Sequence, residues 1–243
     1  MVYYKETMNK TAAIIVAGGN GKRMGMDIKK QYILLDGREI LAHTLDVFDK
    51  CTAIDEIVIV VAEDEISKVS KDIVNKYGYN KKIKILGGGK ERQDSVYEGL
   101  KAVSDEVRYV AIHDGARPFI ETNLIEEAIK VVRDKKAVVL GVPVKDTIKE
   151  AEQEEGVNKI TNTPDRSRLW AIQTPQVFER ELILNAYEYI NKENMLVTDD
   201  SMVAEAYGES VYIIKGDYNN IKITTKEDLI IGEAILNIKK NYK

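Results

Sequence analysis

Three short segments hold the residues best suited to chemistry: AGGNGKRMG at Ala17–Gly25, GGGKERQDS at Gly87–Ser95 and HDGARP at His113–Pro118. In the first, glycines let the backbone approach a ligand closely, and Lys22 and Arg23 add charge, a combination suited to cradling phosphate. It matches neither of two common phosphate loops. Arg23 stands where the P-loop has Ser or Thr, and Gly19, Gly21 and Gly25 miss the GxGxxG spacing by one residue. Just beyond, Lys29-Lys30 can bring another cation to the edge of the same turn. The second segment leads from glycines into a helix start, whose free amides can receive an anion or a base carbonyl. Ser95 there both donates and accepts hydrogen bonds. Arg92 is open to two readings, a surface cation or a site residue, as Asp94 and Ser95 are between capping and binding. In the third segment, Asp114 can hold Mg²⁺ against a triphosphate. His113 reads as a packing or hydrogen-bonding residue, since no ligand cluster accompanies it. Arg117 either pairs with a carboxylate or joins the ligand field. Ser95, His113 and Asp114 establish no hydrolytic triad, because sequence order supplies neither a nucleophile geometry nor an oxyanion hole.

Each segment follows an apolar run that reads as a strand. Thr11–Val16 is almost continuously apolar, as a central parallel strand requires. Glu56–Val61, then a helix over Glu65–Tyr77, then a strand at Ile83–Leu86 gives βαβ alternation. A helix through Tyr97 and Leu100 and a strand at Tyr109–Ile112 continue it. Leu124, Ile125, Ala128, Ile129 and Val132 recur at helical spacing before the strand Ala137–Val142. Later come a helix on Leu182, Ile183, Ala186, Tyr187 and Ile190, another through Ser201–Tyr207, and a strand at Val211–Ile214. Thr225 and Asp228 form a capping-box pattern before a terminal amphipathic helix, expected to cover the sheet. The fold class is therefore α/β, with a doubly wound, predominantly parallel sheet. In such sheets ligands sit outside the carboxyl ends of the strands, where all three segments fall. Lys145–Arg168 breaks the pattern with the acidic run KEAEQEEGVNK, and reads as a hairpin or arm within a single domain spanning 1–243.

Composition narrows the function classes. The chain has 243 residues, 44% of them hydrophobic, and 36 Lys+Arg against 40 Asp+Glu leave a formal charge of −4. Near-cancelling charge without a basic block argues against a nucleic-acid or acidic-membrane binder, though not against small anionic ligands. Cys51 is the one cysteine and the chain has two histidines, so neither an internal disulfide nor a conventional structural zinc site is expected. No segment reads as a signal core or membrane span, and the expected location is cytoplasmic.

Taken in order, AGGNGKRMG, KKQY, GGGKERQDSV, HDGARPF, PVKDTIK, DRSRLWAIQTPQVF, TDDSMVAEAYG and NIKITTKEDL resemble the 2-C-methyl-D-erythritol 4-phosphate cytidylyltransferase family over nearly the whole chain. The resemblance implies transfer of CMP from CTP to 2-C-methyl-D-erythritol 4-phosphate in isoprenoid biosynthesis, with Mg²⁺ and with a homodimer formed through a projecting arm at 145–168. By matching motifs, Arg23, Lys30 and Lys222 would be the catalytic cations, with Lys22 assisting. Ala17, Gly18, Gly89, Ser95 and Asp114 would hold the nucleotide, Asp114 also the metal, while Asp217 is a lesser metal candidate. Asp146, Thr147 and Arg166, from the neighbouring subunit's arm, would grip the acceptor together with Thr174 and Thr198. Trp170 would anchor the Gln173–Gln176 turn by packing. Two positions depart from the family pattern: Lys29 where proline is common, and Lys90 where an acidic residue is common. The alternatives are a pentitol-phosphate cytidylyltransferase, which shares the nucleotide turns, and a CTP-binding regulatory protein without transfer activity.

Overall fold

The computed structural model describes residues 9–19 and 29–241. Its centre is a seven-stranded sheet. In chain order, β1 (Lys10–Val16) is followed by a one-turn 3-10 helix at Lys30–Tyr32, the small hairpin β2 (Leu34–Leu35) and β3 (Arg38–Glu39), α1 (Ile40–Lys50) and β4 (Glu56–Val61). A helical run over 63–77 contains a π-helical stretch at Ser70–Val74. Then come β5 (Lys82–Gly87), α2 (Arg92–Ala102), β6 (Val107–Asp114), α3 (Thr122–Lys135), β7 (Ala137–Pro143), the hairpin β8 (Glu150–Glu154) and β9 (Val157–Asn162), β10 (Trp170–Glu179), α4 (Arg180–Lys192), α5 (Asp200–Ala206), β11 (Tyr212–Lys215) and α6 (Lys226–Asn241).

The strand order is β11-β7-β10-β6-β1-β4-β5, all parallel except β10, which runs antiparallel to both neighbours. Winding goes from β1 outward through β4 to β5, then returns to β6 on the other side of β1. That reversal opens the crevice in which doubly wound sheets bind ligands, at the carboxyl ends of β1 and β6. Alternate residues feed opposite faces, as a pleated strand requires. On one face Ala13, Ile15, Ile57, Ile59 and Ala111 pack under α1 and α3; on the other Ala12, Ile14, Val58, Val60 and Ile112 pack under α2, α4 and α5.

Three features depart from the sequence reading. The terminal helix α6 does not cover the sheet: Ile235 joins Ile33, Leu35, Ile40, Phe119 and Ile223 in a separate small core beside the 3-10 turn. The QTPQ segment is no isolated turn but the middle of β10, which bulges between Gln173 and Gln176 and carries a cis Thr174–Pro175 bond. Trp170 is 38% exposed at the start of that strand, paired with Pro143, and belongs to no buried cluster among the described residues. The arm takes the expected hairpin form. Every residue of β8 and β9 is exposed, including Val157 and Ile160, and the hairpin closes at its neck where Val144 N–H donates to the Leu169 carbonyl at 3.1 Å.

Candidate active site

Backbone hydrogen bonds lace the motif turns together at one edge of the sheet. Ala17 N–H donates to Val60 O (2.8 Å), Gly88 N–H to Val61 O (2.7 Å) and Gly115 N–H to Val16 O (2.9 Å). Ile223 N–H donates to Ala116 O at 2.9 Å, which brings the neighbouring Lys222 onto the third turn. Together they wall a cavity of about 230 Å³ lined by Val16, Ala17, Gly18, Gly19, Lys30, Gln31, Gly89, Lys90, Glu91, Arg92, Ser95, Asp114, Ala116 and Lys222.

Glycine is required in the second turn by space. A Cβ on Gly88 would stand 2.4 Å from Ser95 Oγ and one on Gly89 2.2 Å from Asp94 Cβ, so the turn lies flat against the first turn of α2. Asp94 caps that helix, its Oδ2 accepting from Glu91 N–H at 2.9 Å. Ser95 is buried and donates to Glu91 O at 3.2 Å, with its side chain on the cavity wall.

The electrostatic centre is Asp114, 6% exposed at the end of β6. Its Oδ1 meets Arg92 Nε at 3.3 Å, and its Oδ2 meets Lys222 Nζ at 2.7 Å and Arg117 Nε at 3.5 Å. Burial opposes ionisation, but Arg92, Lys222 and Arg117 outweigh it and hold the carboxyl well below the usual carboxylate range. Arg92 is itself fixed from behind by a two-pronged pair with the fully buried Asp200, at 3.0 and 2.7 Å, and Tyr187 donates to the same carboxylate at 2.6 Å. His113 is fully buried against Phe48, and burial lowers its pKa to about 4. As a neutral ring it accepts the Thr174 hydroxyl proton at Nδ1 (3.0 Å) and donates from Nε2 to Arg117 O (3.0 Å), while Thr174 Oγ1 accepts from Asp114 N–H (3.1 Å).

The structure thus gathers Ala17, Gly18, Lys30, Gly89, Ser95, Asp114 and Lys222 in one cavity. Lys22 and Arg23 lie outside the described residues. Thr174 sits behind Asp114 with its hydroxyl engaged on both sides. Thr198 is exposed and off the cavity wall. Asp146, Thr147 and Arg166 are exposed at the arm, where Arg166 donates to Lys145 O at 2.9 Å, and they do not line the cavity. Asp217 takes a loop role, its carbonyl accepting from Gln173 at 2.8 Å. Arg92 and Gln31 are among the lining residues the sequence left unassigned. Position just inside a helix start after a glycine turn pointed to Arg92; nothing in the sequence pointed to its partner Asp200, 108 residues away.

Metal binding can be tested against this donor set. Among the described residues no group of three or more His, Cys, Asp or Glu side chains could hold an ion. Asp114 offers a carboxylate held ionised at the cavity, which fits a magnesium ion that takes most of its shell from nucleotide oxygens and water. Among the described residues no helix is long and apolar enough to cross a membrane.

Comparison with known proteins agrees with the geometry. A family model described as 2-C-methyl-D-erythritol 4-phosphate cytidylyltransferase matches residues 11–238. The chain is similar to the protein of that name from Clostridioides difficile, with 52% identity over 229 residues, covering 94% of each chain. It is also similar to the one from Alkaliphilus oremlandii, with 49% identity over 235 residues, covering 97% of this chain and 98% of the relative. Among solved structures, 4-diphosphocytidyl-2C-methyl-D-erythritol synthase from Anaerococcus prevotii superposes with a TM-score of 0.84 at 36% identity, covering 96% of this chain and 99% of that one.

Proposed function

The chain belongs to the 2-C-methyl-D-erythritol 4-phosphate cytidylyltransferase family, and from that membership we infer its reaction. It transfers CMP from CTP to 2-C-methyl-D-erythritol 4-phosphate, giving 4-diphosphocytidyl-2-C-methyl-D-erythritol and pyrophosphate. The observation that carries this reading is the single cavity in which all three turns converge with Lys30, Arg92 and Lys222 around Asp114.

An acceptor phosphate oxygen attacks the α-phosphorus of CTP, and the bond to the bridging oxygen of pyrophosphate breaks. Both reactants are anions, so positioning and charge compensation lower the barrier and no protein nucleophile is needed. Lys222, already within the cavity, approaches the α-phosphate; Lys30, with Arg23 and Lys22, holds the triphosphate and the departing pyrophosphate. Gly89 and Ser95 read the cytosine edge against the backbone of Ala17 and Gly18, and the depth of that pocket sets the choice of pyrimidine over purine. Asp114 would hold a magnesium ion, which would supply charge compensation along the phosphate chain. Asp146, Thr147 and Arg166 grip the acceptor from a partner subunit's arm in a homodimer. That reading is supported by their exposure on the segments that flank the hairpin, off the cavity wall. Thr198 contributes from the body. Thr174 acts from behind Asp114, where its hydroxyl is held between Asp114 N–H and His113.

The test offers the purified protein CTP, UTP or ATP with Mg²⁺ and either 2-C-methyl-D-erythritol 4-phosphate or ribitol 5-phosphate, reading pyrophosphate and the coupled product. CTP with the methylerythritol acceptor is expected to turn over fastest. An inert methylerythritol phosphate, or nucleotide binding with no product from either acceptor, overturns the reading.

A further inference from the structure

Lys30 lines the cavity from a single 3-10 turn, Lys30–Tyr32, an element too short to fix its own place in the molecule. Two local bonds close it, Tyr32 N–H to Lys29 O at 3.0 Å and Ile33 N–H to Lys30 O at 3.2 Å, and Lys29 adds no side-chain cap. Such bonds keep the turn's shape without saying where it stands. At its carboxyl end the turn is anchored by Ile33, buried in the small apolar core.

At the amino end the anchor is the helical run over 63–77. Glu65, 6% exposed, pairs through Oε1 with Lys29 Nζ at 3.1 Å. Its carboxylate also stands beside the Tyr32 hydroxyl, whose pKa is pushed up by burial and then by the Glu65 charge, so the phenol keeps its proton. Lys68, three residues on, holds its ammonium over the Tyr32 ring, 4.1 Å from the centroid. Two side chains of the run thus grip the residues one before and two after Lys30. The run itself begins against the first glycine turn, where a Cβ on Gly18 would stand 3.5 Å from Ala62 N and from Val61 C. Glu65 therefore ties the turn of Lys30 to the strand end beside Gly18, another part of the cavity wall.

Packing alone does not call for a carboxylate at this position. Tyr32, Ile66 and Val69 belong to or border the large apolar cluster, and an apolar side chain at 65 would join it without the cost of burying a charge. Neither Glu65 nor Lys29 lines the cavity, so the pair is not placed to touch a ligand. A buried ion pair is a poor source of stability and a better means of selecting one geometry. It also gives a use to Lys29, one of the two positions that depart from the family pattern. We propose that Glu65 is a positioning residue for Lys30: by holding Lys29 and Tyr32 it sets the turn so that the Lys30 ammonium meets the triphosphate of CTP. The proposal rests on the cavity being the CTP site, with Lys30 on the triphosphate. The sign of the effect separates position from charge. Glu65→Gln removes a negative charge near an anion site, so electrostatics alone would tighten CTP binding, whereas displacement of the turn weakens it.

The test is a double-mutant cycle on Glu65→Gln and Lys30→Met, read by calorimetric titration of the four chains with CTP and Mg²⁺. A thermal melt without ligand shows that each chain is folded at the titration temperature. CTP binding is expected to be about tenfold weaker in Glu65→Gln and about thirtyfold weaker in Lys30→Met. The double variant is expected to bind within about twofold of Lys30→Met alone, because a turn without its ammonium has nothing left to misplace. CTP affinity in Glu65→Gln within about twofold of wild type, or tighter, overturns the proposal. So does a double variant in which the two losses multiply, since Glu65 then acts on binding by another route. If Glu65→Gln does not fold, Glu65→Asp, which keeps the charge and withdraws it by one methylene, takes its place in the cycle with the same readings. Lys30→Met affinity equal to wild type takes Lys30 off the triphosphate and this proposal with it. Wild type that does not bind CTP overturns the assignment of the cavity, and this proposal with it, a result distinct from a failure at Glu65 alone.

Discussion

Arg92 and Lys222 touch the same carboxylate, yet their surroundings assign them different work. Arg92 joins Asp114 to Asp200 and so stands between two buried anions. Removing it as Arg92→Met leaves both undercompensated, and breaking a buried pair of this kind costs about 3–5 kcal/mol. Chemical denaturation is expected to show a loss of that order, and a loss below about 1 kcal/mol would mean the pairing with Asp200 is not a stabilising one. Lys222 is partly exposed, and Asp114 keeps Arg92 and Arg117 without it. Lys222→Met should therefore leave the denaturation midpoint nearly unchanged while lowering kcat by about 10²-fold or more, the scale of losing one fixed charge at a reacting centre. Full activity in that variant would remove Lys222 from the reaction.

Close packing between α2 and β1 fixes where the second turn enters the cavity. Gly99 faces β1 so tightly that an added Cβ would stand 2.6 Å from Ile14 Cγ2, within the core of that face. Gly99→Ala is expected to destabilise by about 1–3 kcal/mol through overpacking, read as a lower urea midpoint with unchanged slope. An unshifted midpoint would show that the helix gives way at no cost. Elements with clean periodicity were legible from sequence: β1, β4 and β7 are apolar runs flanked by turns, and α3 and α4 repeat apolar residues every three or four positions. β10 was not, because its middle is Gln173-Thr174-Pro175-Gln176, and buried polar residues with a proline read as a turn. Backbone pairing with β6 and β7 makes it a strand, and its polar side chains are satisfied by Asp217 O for Gln173 at 2.8 Å, His113 for Thr174 at 3.0 Å and Asp199 for Gln176 at 2.8 Å. Such partners lie far off in the chain. The helix α1 is not announced either, since it starts at Ile40 after Glu39, which makes no side-chain cap. The site divides the same way. Its turns follow strands and could be read directly, whereas Lys222 came by resemblance alone, and the pairing of Arg92 with Asp200 exists only in three dimensions.

For the whole molecule, the formal charge of −4 describes the outer surface and not the cavity, where Lys30, Arg92 and Lys222 gather. The proposed dimer makes each site a joint product of one body and the other arm. Mixing an Arg166→Ala chain with a Lys222→Ala chain, each inactive alone, should then restore about one quarter of wild-type activity, since half the dimers are mixed and each has one intact site. No recovery in verified mixed dimers would place Arg166 and Lys222 in the same subunit's site or outside the reaction.

The antiparallel course of β10 has a consequence for how such a molecule can change over generations. Because β10 begins where β7 ends, with Trp170 opposite Pro143, the chain leaves the sheet and re-enters it at adjacent points on one rim. Whatever is strung between those points can lengthen, shorten or alter its sequence while every strand keeps its register. Recognition of a partner and the chemistry beneath it can therefore diverge at separate rates within one continuous gene product.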